Sequence, residues 1–135
     1  MSWRESLIRI SSFEVEMLQK RLADVVERRS AAEMRLIILE AEGEAEIAHA
    51  NADAQAGWYR AGFLEALRAR RSTLHGEIGA LNAEEAGARD ALAEAFEALK
   101  RFEHVAEAAR VVELKAEARR EAVVMDELGL RRRTR

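Results

Sequence analysis

Two long heptad repeats run through this chain, and its 135 residues contain no proline to interrupt them. An interior proline would cost a helix about 3 kcal/mol. In the first repeat Ile8, Val15, Leu22 and Leu36 share a row with Arg29, and Leu18, Val25, Ala32 and Leu39 form the next row. Trp3, Leu7, Ile10 and Phe13 widen that stripe at its start. The second repeat runs from Leu64 and Leu67 through Leu74, Ile78 and Leu81 to Leu99, Phe102 and Ala106, with Arg71 and Glu85 as polar members. A 3.5-residue repeat makes a narrow apolar seam, and such a seam must face another helix.

The two repeats are separated by NADAQAGWYRAGFL, residues 51–64. Asn51, Asp53, Gly57 and Gly62 favour helix ends over helix interiors. Before this stretch lie Glu40, Glu42, Glu44 and Glu46, with no Lys or Arg from Ile37 to Tyr59. After it come Arg60, Arg68, Arg70 and Arg71. If the chain turns here, an acidic arm lies along a basic arm, and flanking charges of this kind set orientation in a coiled coil. The expectation is therefore an all-α fold, a long antiparallel two-helix coiled-coil hairpin. It forms a single domain over 1–135, with a first arm about 3–50, a turn about 51–57, a second arm about 58–128 and a basic tail 129–135.

Heptads fix the pairing only to within steps of seven. Setting Arg29 against Glu85 chooses a register, because the two seam charges then meet each other instead of apolar partners. Leu36 then faces Ile78, Leu39 faces Leu74, Ile47 faces Leu67 and Leu22 faces Leu92. Glu44 and Glu46 come beside Arg70 and Arg68. Beyond Leu39 the spacing steps by four through Gly43, Ile47, Ala50 and Ala54, a stutter that locally unwinds the supercoil. In this register the second arm outruns the first. Val111, Val112, Leu114, Val123, Val124, Met125 and Leu128, with Asp126 and Glu127 among them, have no intramolecular partner. Exposed apolar surface of this kind marks an interaction site.

Other chemistry is thinly represented. His49, His75 and His104 lie far apart, and none has a second histidine one turn away to complete a zinc pair. The alternating glutamates do not share one helix face and read as a solvated surface. No phosphate-binding glycine loop or nucleophile elbow occurs, and a two-helix coil offers no enzyme pocket. No cofactor or metal is expected, and no catalytic activity. A net charge of -3 argues against a dedicated nucleic-acid binder; the RRRTR end reads as solvated. With no cysteine, no transmembrane stretch and no signal peptide, a cytoplasmic protein is expected. Trp58, Tyr59 and Phe63 serve either to pack the turn or to bind a partner.

Taken in order, the first-arm heptads in RESLIRISSFEVEMLQKRLADV, the Tyr59, Phe63, Leu64, Leu67 spacing after the turn, and Asp126, Glu127, Leu128 before a basic tail resemble the flagellar type III export protein FliJ family and its injectisome counterparts. The resemblance covers essentially the whole chain. It implies a cytoplasmic component of the flagellar export apparatus, at the cytoplasmic face of the flagellar base, that touches the membrane only through that apparatus. It implies a stalk-like coiled coil whose partners are the hexameric export ATPase, the large export-gate membrane subunit and export chaperones. The gate-contacting row of the family matches Phe63, Leu67 and Leu74, with Tyr59 before it and Arg70 where a small residue is expected. The family's first-arm tyrosines are replaced here by Ala41 and Ala45. ATPase or chaperone binding falls to the overhang from Val111 to Leu128. A hairpin satisfies its own seam and is expected to be monomeric when free. The alternative is a plain structural coiled coil that homodimerises through its seam and has no transport role.

Overall fold

A computed structural model describes residues 2–52 and 56–134. Helix α1 spans Trp3–Ala52, a single 3₁₀ turn spans Ala56–Tyr59, and helix α2 spans Arg60–Arg133. No strand occurs among the described residues. The fold is a two-helix coiled-coil hairpin whose second helix is the longer, as the repeats require. Part of the expected turn, including Asp53 and the seam position Ala54, lies outside the described residues.

The helix ends have local causes. Ser2 and Glu5 form a capping box: the Glu5 amide donates to Ser2 Oγ, and the Ser2 amide donates to Glu5 Oε2, both at 3.2 Å. Two of the orphan amides at the start of α1 are thereby satisfied. At the other terminus α2 continues through Arg131, Arg132 and Arg133, which read from the sequence as a tail. Three cations in the last turn oppose the negative end of the helix dipole and favour this extension. Thr134 Oγ1 donates back to the carbonyls of Leu130 and Arg131 at 3.2 and 3.1 Å.

The chain divides into two compact units, one of residues 16–93 and one of residues 1–15 with 94–135. In the first, α1 and α2 run antiparallel: Arg28 pairs with Glu84, Arg35 with Glu77 and Glu40 with Arg71. Val25, Ala32 and Ala88 are fully buried along this seam, and Leu67 and Leu81 nearly so. Leu39 and Leu74, expected to face each other, line one groove. Gly43 and Ala50 are buried and Ile47 half-buried, so the stutter positions do enter the seam.

One contact departs from the expected register. Leu67 lies over Gly43, its methyls 2.9 and 3.1 Å from where a Gly43 Cβ would stand. The heptad count had set Leu67 against Ile47, one turn later. Without a side chain at position 43, the leucine occupies the space a Cβ would fill. Arg71 takes Glu40, Glu46 accepts from Tyr59, and among the described residues neither Arg68 nor Arg70 forms an ion pair with Glu44 or Glu46.

In the second unit, residues 2–8 lie beside 103–113 and Arg4 reaches Glu113 at 3.3 Å. Ser11, Val15, Ala95 and Leu99 are buried. Trp3, Ile10 and Phe13 do not widen the seam, since all three are exposed. Ile10 and Phe13 follow the seam positions Ile8 and Ser11 by two residues, about 200° around the helix, and so face outward. Arg4 lies over the Trp3 ring instead, 5.7 Å from its centroid. Beyond Ala116 every described residue of α2 is exposed.

The glycines divide into two kinds. A Cβ at Gly76, Gly79 or Gly87 meets nothing within 4 Å, so Gly→Ala at each should gain about 1 kcal/mol of helix stability. At Gly43 the same gain is opposed by displacement of the buried Leu67. Thermal melts followed by circular dichroism should show raised Tm for Gly76→Ala, Gly79→Ala and Gly87→Ala, and little or no gain for Gly43→Ala. An equal rise at Gly43 would mean that Leu67 does not need that space.

Candidate partner-binding surfaces

Charge inside the seam of residues 16–93 is concentrated around Glu85. Its carboxylate accepts from Arg29 Nε at 2.9 Å and from Arg89 at 3.0 Å, while Arg29 also reaches Glu33 at 3.0 Å. Glu85 is 9% exposed. The hydrogen bond from Arg89, and after it that from Arg29, hold the Glu85 carboxyl below the usual glutamate range, against an opposing desolvation. The second polar seam residue, Arg71, makes a bidentate contact with Glu40, whose carboxyl is lowered chiefly by that hydrogen bond. The sequence marks Arg71 as a seam charge but does not name Glu40 as its partner.

Near the turn, a groove runs between the helices. Phe63, Leu67 and Arg70 line it with Leu39, Glu42, Gly43, Ala45 and Glu46. An adjoining groove is lined by Arg70, Leu74, Ala69 and Thr73 from α2 and by Ile38, Leu39 and Glu42 from α1. Four of the five residues matched to the gate-contacting row thus line continuous surface within one unit. The fifth, Tyr59, is half-buried and donates from its hydroxyl to Glu46 Oε1 at 2.8 Å. Its ring meets Trp58 edge-on at 5.7 Å between centroids. The aromatics differ in exposure: Trp58 is 85% exposed, whereas Tyr59 and Phe63 are half-buried. Leu67 is buried against Gly43, so the accessible apolar groups of this surface are Phe63, Leu74 and Ile38. Ile38 was not singled out by sequence, nor were its exposed neighbours Met34 and Ile37. The signal was present as three apolar residues off the heptad seam.

The overhang is the other surface. Val111, Val112, Leu114, Val123, Val124, Met125 and Leu128 are all exposed, as is Leu130, which the sequence reading left in the tail. Asp126 and Glu127 sit exposed among them. Met125 and Leu128 project from the stretch of α2 beyond Ala116, where every described residue is exposed.

Among the described residues no cluster of His, Asp and Glu could hold a metal ion, and no helix is long and apolar enough to cross a membrane.

The paired helices define a coiled-coil hairpin protein. No sequence-family profile matches the chain, and no solved structure matches it. Two curated relatives do: the flagellar FliJ proteins of Caulobacter vibrioides strains NA1000 / CB15N and ATCC 19089 / CIP 103742 / CB 15. Each is 55% identical over 130 residues, covering 96% of this chain and 94% of the relative. The chain belongs to the flagellar FliJ family.

Arg29 and Glu85 give a test of the seam. Arg29→Leu leaves Glu85 with Arg89 alone and should lower Tm by several degrees. Arg29→Leu with Glu85→Leu should recover or exceed the wild-type Tm, since a packed apolar pair often matches a buried ion pair. The pH dependence has a defined sign. A carboxyl lowered in the folded state stabilises above the unfolded value of about 4.3, and that contribution is lost as pH falls through the folded value. Wild type should therefore lose more Tm than the double variant on going from neutral pH to about pH 3. Parallel losses in the two proteins would show that Glu85 contributes nothing.

Proposed function

We propose that this protein is a non-enzymatic component of the flagellar type III protein export apparatus, acting as a stalk at the cytoplasmic face of the flagellar base. The observation that carries the reading is the 55% identity to flagellar FliJ proteins over nearly the whole chain. The groove of Phe63, Arg70 and Leu74 is the surface for the large export-gate subunit. The exposed end of α2 beyond Ala116, with Val123, Met125 and Leu128, engages the hexameric export ATPase and export chaperones. Export, and through it motility, depends on both. Bare apolar side chains on a helix free of its own partner supply the hot-spot anchors such contacts need. The plain coil that dimerises through its seam has less to drive it, because the seam is already covered within one chain.

Two variants separate the surfaces. A chain ending after Ala116 keeps the Arg4–Glu113 pair and every buried seam residue. It should melt like wild type yet fail to co-purify with the export ATPase and fail to restore swimming. Phe63→Ala should keep helicity and weaken gate binding by about tenfold or more, with ATPase binding unchanged. A truncated chain that still co-purifies and restores swimming refutes the role given to the end of α2.

A further inference from the structure

One flank of the hairpin carries a ladder of opposed charges. On α1, Arg28, Arg35 and Glu42 follow at steps of seven, and on α2, Glu84, Glu77 and Arg70 do so in the reverse direction. Arg28 closes on Glu84 at 2.7 Å and Arg35 on Glu77 at 2.6 Å. The next rung is Glu42 with Arg70. Its signs are exchanged, acid on α1 and base on α2, and it is open: among the described residues neither side chain forms an ion pair or a hydrogen bond. Both are exposed. All six residues belong to the unit of residues 16–93.

The open rung stands in the groove. Glu42, Arg70 and Leu39 line both of its parts. To one side lie Ile38 and Leu74, and to the other Phe63 and Ala45. From Ile38 to Ala45 is about 10 Å along the helix. A helix lying in such a groove reaches both sides with apolar side chains two turns apart, and the residues between them project towards its two edges.

We propose that Glu42 and Arg70 form a charge clamp, and that the partner filling this groove is an amphipathic helix with apolar anchors two turns apart and, between them, a basic residue for Glu42 and an acidic residue for Arg70. The inference rests on the reading of this groove as the surface for the export-gate subunit, and adds the chemistry by which the groove selects. An exposed ion pair contributes little stability, so the open rung costs the hairpin little and leaves two charges for the partner. The exchanged signs also fix where the partner sits. A helix displaced by one heptad meets Arg35 and Glu77, whose signs are the reverse and which are already engaged with each other. Mismatched flanking charges of this kind reject a wrong register.

The test is binding of the purified chain to the detergent-solubilised export-gate subunit across about 50 to 300 mM salt. Arg70→Glu and Glu42→Arg should each raise Kd about tenfold or more, with Tm unchanged. Glu42→Arg with Arg70→Glu restores the net charge and lets the two residues pair, but presents the wrong polarity. Its binding should stay as weak as that of the single variants. Glu42→Gln with Arg70→Gln should bind less tightly at low salt and lose most of the salt dependence. A double reversal that recovers wild-type binding overturns the proposal. So does a complex weakened by Phe63→Ala but indifferent to every charge variant, a result that leaves the export reading standing. A complex indifferent to Phe63→Ala as well removes the groove reading itself, and the clamp with it.

Discussion

Arg29 and Glu85 meet at a place where a coiled coil ordinarily puts leucine. A seven-residue repeat looks the same to itself after every slip of seven, so apolar contacts alone leave several pairings close in energy. A slip by one heptad would set each of these charges against an apolar residue, and an unpaired charge in a seam is far more costly than a lost methyl contact. Arg89 and Glu33 complete the hydrogen bonding around the pair, which lets the charges stay ionised there. The position of the groove descends from that register. Had the chain paired seven residues along, Phe63 and Arg70 would face other parts of α1.

Much of this was legible in the sequence because a heptad repeat reports burial directly. Val15, Val25, Ala32, Leu81 and Leu99 are buried where the repeat puts them. The excess of the second helix over the first followed from the register alone. What escaped was local. Gly43 carries no side chain, so periodicity could mark it as a small residue but not say that Leu67 would settle over it. The pairing of Arg71 with Glu40 was likewise unmarked. Trp3, Ile10 and Phe13 were misplaced because counting apolar residues does not separate a seam from an outward face two positions away. Of the residues lining the grooves near the turn, Phe63, Leu67, Arg70 and Leu74 had been named from the family pattern, while Ile38 was hidden by belonging to no row.

The groove and the helix end differ in how binding there would be organised. In the groove, Phe63 and Leu74 sit beside buried seam residues, so a partner meets side chains already held by packing. Preorganisation of this kind lowers the ordering cost of association. The end of α2 offers Met125 among valines and leucines, all exposed. Methionine, with three rotatable bonds, adapts its shape to irregular surroundings.

The capped start of α1 and the bare end of α2 also differ in what it takes to melt them. Starting a helix in water requires an unfavourable nucleus, but lengthening one adds a hydrogen bond for each residue fixed. Beyond Ala116 α2 grows from a stem already held by packing, so its last turns form by elongation alone. They can also be lost one at a time from Arg133 inward without disturbing the stem. Amide protons along this stretch therefore exchange on a gradient, fastest at the arginines and slowing towards Ala116, where the packed pair takes over and opening becomes cooperative.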